Sequence, residues 1–156
     1  TILDFSPLAE TFVEACVEAE LKTSSFIGSM VNYFETKNYI FVHGWIPLIC
    51  KDNLPTYYTR NRRFEFNPNW RTAHFSEWEQ ARWLNGMDMA RKGFVEPNKV
   101  IVCGHWHCSF GHSRYENDGG EFDNNPNFAP YYGNGIIALD ACTPVSKKVN
   151  CIVIED

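Results

Sequence analysis

The chain holds 156 residues, 44% of them hydrophobic and 21% charged, and carries a formal net charge of −5. These proportions fit one globular domain and exclude a disordered or collagen-like chain. A pI near 5.5 argues against nucleic acid as the principal ligand and against an anionic membrane surface. No run approaches the roughly 18 apolar residues of a membrane span.

The first helix is expected where Ser6 caps, Pro7 suits the first turn, and Leu8, Phe12, Ala15, Cys16 and Ala19 recur at helical spacing. Phe26, Met30 and Phe34 lie four apart and predict a second helix over residues 25–34. Tyr39-Ile40-Phe41-Val42 reads as a strand buried on both faces. Periodicity then fades, and residues 45–75 are expected to form a long loop. Ser76 and Glu79 make a capping-box pattern opening a helix over 76–91, with Ala81, Leu84, Met87 and Ala90 inside and Gly93 after its end. Val100-Ile101-Val102-Cys103 is a second buried strand, followed by a loop over 109–134. Residues 136–141 and 148–154 are expected to pair as a closing hairpin. There are no repeats and no linker, so the expectation is a single mixed α/β domain over 1–156.

Thr1 is the first residue and Met30 the first methionine, so the chain is read as a processed product or part of something longer. Of the six cysteines, Cys16, Cys103 and Cys151 fall inside apolar helix or strand patterns, where a free thiol packs as a small hydrophobe. Reduced thiols and a cytoplasmic setting are expected.

Three of the five histidines carry the chemistry. His43 directly follows one buried strand, and His105 and His107 follow the other. Parallel pairing of those strands sets all three imidazoles on one edge, the edge where open α/β sheets place their sites. Imidazole is the commonest metal ligand, and Gly44 and Gly104 beside the histidines let the backbone approach closely.

Phe41-Val42-His43-Gly44 and Val102-Cys103-Gly104-His105-Trp106-His107 resemble two late motifs of the calcineurin-like metallophosphoesterases, in the branch of the bacterial serine/threonine protein phosphatases. Gly135-Ile136-Ile137-Ala138-Leu139-Asp140-Ala141-Cys142 looks like that family's closing strands. The resemblance covers the chain from Tyr39 onward and implies the C-terminal half of a four-layer αββα sandwich with a mixed sheet. It further implies a site for two divalent transition metals, Mn, Fe or Zn, in which His43 and His105 hold one ion and His107 the other. Two such ions about 3.5–4 Å apart clamp phosphate oxygens and supply hydroxide for in-line attack.

The family's earlier motifs, an Asp-x-His, a Gly-Asp and a Gly-Asn-His, have no counterpart here: Asp4 lacks the histidine two residues on, and Gly133-Asn134 is followed by Gly135. The bridging carboxylate and the general acid are therefore missing. No catalytic residue is assigned within the chain, and alone it is expected to be inactive. Its expected partners are a phosphorylated substrate, protein or small molecule, and the missing N-terminal half, which would cover an apolar sheet face left open.

Residues 44–75 and 109–134 are expected to act as substrate-facing lids. The first carries Lys51, Arg60, Arg62, Arg63 and Arg71 against Asp52 and Glu65. Arg60, Arg62 and Arg63 are its candidates for gripping phosphate. His112 is a candidate to hydrogen-bond behind the histidine pair, His74 is a loop histidine, and Asp140 caps a turn. Trp78, Trp83 and Met87 are expected in helix packing. A structural zinc site from Cys103, His105, His107, Cys108 and His112 has unfavourable spacing. The alternative to a phosphoesterase is a non-catalytic metal- or partner-binding module, and a purely structural α/β domain comes third.

Overall fold

The computed structural model describes residues 28–52 and 63–155, together with Val17, Glu20, Thr23, Ser24 and Phe26. The chain divides into two compact units, Thr1–Val31 and Asn32–Asp156. In the first, the described residues from Val17 to Ser29 are helical. The positions that predicted the first helix, Ser6, Pro7, Leu8, Phe12, Ala15, Cys16 and Ala19, lie outside the described residues, as do Arg60 and Arg62.

The second unit is a mixed α/β fold. Its seven described strands are β1 (Tyr33–Glu35), β2 (Tyr39–Val42), β3 (Leu48–Cys50), β4 (Phe64–Phe66), β5 (Val100–Cys103), β6 (Tyr131–Gly133) and β7 (Ile136–Ala138). The main sheet runs β1-β2-β5-β7-β6, while β3 and β4 form a separate antiparallel pair. β2, β5 and β7 are mutually parallel, and β1 and β6 pair antiparallel at the two edges. Both strands expected to be buried therefore sit at the centre of the sheet.

Three sequence expectations are corrected. The helix over 25–34 gives way to β1 at Tyr33, because Tyr33 and Phe34 fold back on β2 through a Thr36–Tyr39 turn. There Thr36 N–H donates to the Tyr39 carbonyl at 2.9 Å and Thr36 Oγ1 accepts from Tyr39 N–H at 3.1 Å. The helix over 76–91 is two helices, α1 (Phe75–Ala81) and α2 (Gly86–Arg91). His74, not Ser76, caps α1, with Glu77 Oε2 reaching back to its N–H at 2.8 Å. Asn85 Oδ1 accepts from Asp88 N–H at 3.2 Å and restarts the chain as α2. Gly93 does end α2: it sits at φ +85°, its N–H donates to Ala90 and the Phe94 N–H to Met89, a Schellman ending.

The third correction concerns the closing hairpin. β7 pairs with β6, from within the expected loop, and residues 148–154 form no strand. A one-turn helix, α3 (Thr143–Ser146), lies between left-handed Cys142 and Lys147. Thr143 Oγ1 and Ser146 Oγ both donate to the Lys148 carbonyl, at 2.9 and 3.4 Å, and turn the chain away from the sheet. Val149 and Val153 are left 79% and 93% exposed. Residues 45–75 are likewise no simple loop, since they hold β3, β4 and a 3₁₀ turn at Trp70–Thr72.

The register aligns Ile40, Ile101 and Ile136 across the three parallel strands, and all three are buried. They pack with Trp45, Ile46, Trp70, Trp78, Met87 and Met89 into the core. Full burial of one such side chain stabilises by about 1.5–3 kcal/mol. The opposite face presents Phe34, Tyr39, Phe41, Val100 and Ile137, with Phe34 62% exposed. Trp70 Nε1 donates to Glu96 at 2.9 Å, and Arg71 bridges Glu35 and Glu96 at 2.6 and 2.9 Å while lying 4.3 Å from the Trp70 ring. Among the described residues Cys50, Cys103, Cys108, Cys142 and Cys151 are free thiols. Among the described residues no helix is long and apolar enough to cross a membrane.

Candidate functional site

Parallel pairing brings the carboxyl ends of β2, β5 and β7 to one edge, so the residues that leave those strands meet there. Gly104 N–H donates to the His43 carbonyl at 2.9 Å, Leu139 N–H to Cys103 at 2.8 Å, and Cys108 N–H to Asp140 at 2.8 Å. These three bonds sew His43, Gly104-His105 and Leu139-Asp140 into one rim. The His43 and His105 rings lie 5.0 Å apart at 48°. His43 is exposed and His105 half-buried. A cleft of about 360 Å³ opens beside them, lined by Phe41, Val42, Val102, Cys103, Gly104, Leu139 and Asp140.

Of the two flanking glycines, only Gly44 answers to a close approach. A Cβ there would fall 2.7 Å from the Ala81 carbonyl oxygen and nearer still to that of Arg82, whereas one on Gly104 would meet the His43 carbonyl at an ordinary 3.7 Å. Gly44 thus lets the end of α1 sit on the His43 turn, and Trp45 N–H fixes it by donating to Ala81 at 3.0 Å. Gly44→Ala is expected to cost about 1–3 kcal/mol by overpacking against backbone that cannot yield. Thermal melts read the loss, and an unchanged midpoint contradicts the contact.

His105 adopts a left-handed backbone, φ 64°, a conformation uncommon outside glycine, asparagine and aspartate. Burial, and secondarily the neighbouring His43, hold its imidazole below the usual histidine range, with the Asp140 carboxylate opposing them. The neutral ring, which is the ligating form, is therefore favoured at neutral pH.

The third histidine does not join this pair. His107 is the residue before the turn at Cys108–Gly111, with its Nε2 3.0 Å from Glu121 Oε1 and its ring 4.4 Å from Phe122. Ser109 Oγ donates to the Glu121 carbonyl at 2.6 Å, so the 109–134 segment is pinned to the helix beginning at Cys108. Among the described residues no three His, Cys, Asp or Glu side chains converge closely enough to hold a metal ion. The donor set at the rim, two imidazoles with a carboxylate acting on one of them, fits part of a transition-metal shell and not a whole one.

The remaining candidates separate. His112 is buried, with Nδ1 2.5 Å from Glu116 and Nε2 3.0 Å from the Ala129 carbonyl, and so ties its turn to the loop rather than backing the pair. Arg63 pairs with Asp52 at 3.2 Å and lines a cavity of about 420 Å³ with Lys51, Phe64, Glu65, Lys92 and Phe94. Lys92 and Phe94 end α2, whose first residue, Gly86, faces Cys103 at the histidine edge, so that cavity lies at the other end of the helix. The cysteines do not suit a zinc site. Burial keeps both the Cys103 and Cys108 thiols protonated, the latter pushed up to about 11, and Cys108 Sγ donates to the Ala138 carbonyl at 3.1 Å.

Sequence reasoning assigned Trp83 to helix packing. The ring is instead 63% exposed and stands edge-on to His105 at 5.1 Å. The signal was the Arg82–Asn85 break between helices, which turns the indole out of the packed face. No family model, curated protein or solved structure matches the chain.

Proposed function

We propose that the chain supplies the second half of the two-metal site of a metal-dependent phosphoesterase of the calcineurin-like type. The observation that carries this is the pairing of His43 and His105 at the ends of adjacent parallel strands, with Asp140 on the third. His43 and His105 hold one ion of Mn, Fe or Zn, and His107 takes part in holding the other. Bound there, the ions supply hydroxide and neutralise charge on a phosphate ester. The chain's own residues orient and restrain: the Gly104–His43 bond fixes the spacing of the two imidazoles, and burial keeps His105 neutral.

The open apolar face around Phe34 and Phe41 is where the N-terminal half of the sandwich packs and brings the missing carboxylates. Until it does so the chain is inactive. Basic residues of the 44–75 segment draw in a phosphoprotein or small phosphate ester through Arg60 and Arg62, while Arg63 is held by Asp52 away from the histidine edge; the free thiols among the described residues agree with a cytoplasmic setting. The alternative is a non-catalytic metal- or partner-binding α/β module, and the lack of a three-donor cluster among the described residues favours its partner-binding form.

Zinc titration followed by histidine ring NMR tests the assignment on the chain itself. One ion should move the His43 and His105 signals and leave His74 and His112 in place. Shifts confined to His74 or His112, or none at all, contradict it.

A further inference from the structure

The turn between α1 and α2 lies across the rim that carries the histidines. Arg82 and Trp83 are consecutive there, and their side chains diverge to either side of His43. Arg82 Nη2 donates to Asn32 Oδ1 at 2.7 Å. Asn32 precedes β1, and since Tyr33 pairs with Val42, it lies level with His43 across the ladder. Trp83 goes the other way, to His105 just past the end of β5, which flanks β2 on its opposite side. The exposed imidazole of His43 is therefore bracketed by a guanidinium and an indole. Gly44 sets this bracket in place, because its missing Cβ seats the Ala81 and Arg82 carbonyls directly on the histidine turn.

Each arm has unused binding capacity. Arg82 has no carboxylate partner among the described residues. Among those residues its hydrogen bond goes to the neutral Asn32, and its other contact is the Phe75 ring at 5.8 Å. A guanidinium so placed retains donors for an oxyanion and is the side chain best shaped to hold one. Trp83 meets His105 at an interplanar angle of 83°, an edge contact, and is 63% exposed. A large exposed aromatic surface beside a polar site is a stacking platform for another flat ring.

We propose that Arg82 and Trp83 form a substrate grip that selects phosphates esterified to a planar ring, aryl phosphates as a class, over alkyl phosphates such as phosphoserine esters. This rests on the histidine rim handling phosphate, as proposed above. With the phosphate at the rim, Arg82 holds a non-bridging oxygen from the β1 side. The ring of the ester lies over the indole on the β5 side. The grip binds and orients without touching the reacting bond through any proton or covalent step.

Binding of phenyl phosphate, ethyl phosphate and inorganic phosphate to the zinc-loaded full chain tests this, read by the Trp83 indole N–H signal in NMR. Phenyl phosphate should bind about three- to tenfold more tightly than ethyl phosphate, the range expected for one aromatic contact, and should move the Trp83 signal. Trp83→Ala should abolish that ratio by weakening phenyl phosphate more than ethyl phosphate, and Trp83→Phe should keep most of it. Arg82→Gln should weaken both esters by a similar factor, about tenfold or more. Equal binding of the two esters to the unsubstituted chain, or a ratio that survives Trp83→Ala, overturns the grip and leaves the phosphate site standing. Failure of all three probes to bind overturns the phosphate site and the grip with it. Phenol binding as tightly as phenyl phosphate also overturns the proposed class. Trp83 is surface-exposed, so Trp83→Ala should melt with the parent chain, and Trp83→Phe remains as the control if it does not.

Discussion

Arg71→Met is expected to lower stability by about 1–2 kcal/mol at neutral pH, the range for losing charge-assisted hydrogen bonds in a partly exposed ion-pair network. Arg71 holds Glu35 on edge strand β1 and Glu96 in the segment leading to β5, and its guanidinium lies on the buried Trp70 ring. Methionine keeps much of the apolar contact but leaves two carboxylates facing each other. Lys99 Nζ, 3.0 Å from Glu35, is then the remaining cation in the cluster. Urea unfolding at pH 7 measures the loss, and a midpoint unchanged by the substitution contradicts the assignment.

The same cluster dictates an acid response. Hydrogen bonding to Arg71, and after it to Lys99, outweighs burial and lowers the Glu35 carboxyl from 4.5 to about 2. A depressed carboxylate contributes stability that is complete above its unfolded value and is lost as pH falls through its folded value. The parent chain should therefore lose stability progressively from about pH 4.5 to about pH 2, by an amount of the order of 2 kcal/mol once partial solvent screening is allowed for. In Arg71→Met that slope should flatten and shift to higher pH. Parallel pH profiles for the two chains contradict the account.

The parts of the fold legible in the sequence were those fixed by local pattern. Tyr39–Val42 and Val100–Cys103 were legible as interior strands because an unbroken apolar, β-branched run has few other homes, but burial on both faces holds only for the second: of the first, Ile40 alone is buried. Gly93 read as a helix end because its left-handed backbone is a local requirement. Long-range pairing was illegible. Tyr33 and Phe34 fit helix spacing as well as strand alternation, and only the neighbouring β2 decides between them. Residues 148–154 carry strand composition, yet local hydrogen bonds from Thr143 and Ser146 direct them away from a sheet whose β7 edge is already taken by β6. At the site, the strand-end rule placed His43 and His105 together but could not show that His107 turns to Glu121, because that depends on a loop contact fourteen residues away. Trp83 was missed for a related reason: exposure is a property of the break after Ala81, not of the residue.

His105→Asn is expected to have the largest functional effect. Asparagine tolerates the left-handed backbone that His105 occupies at φ 64°. The substitution therefore removes the imidazole while keeping the turn, the Gly104–His43 bond and the Trp83 surface. Under the proposed assignment His105 ligates the ion directly, and its loss should exceed the roughly 10–100-fold effects seen for residues that merely orient ligands. The decisive measurement is phosphate-ester hydrolysis by the protein purified from its source cells, stripped of metal and then given Mn²⁺ or Zn²⁺. Turnover should vanish on chelation and return with the ion, and His105→Asn should stay at least about 100-fold below the parent at matched metal. Hydrolysis indifferent to chelation, or a His105→Asn protein as active as its parent, contradicts the assignment of the histidine rim.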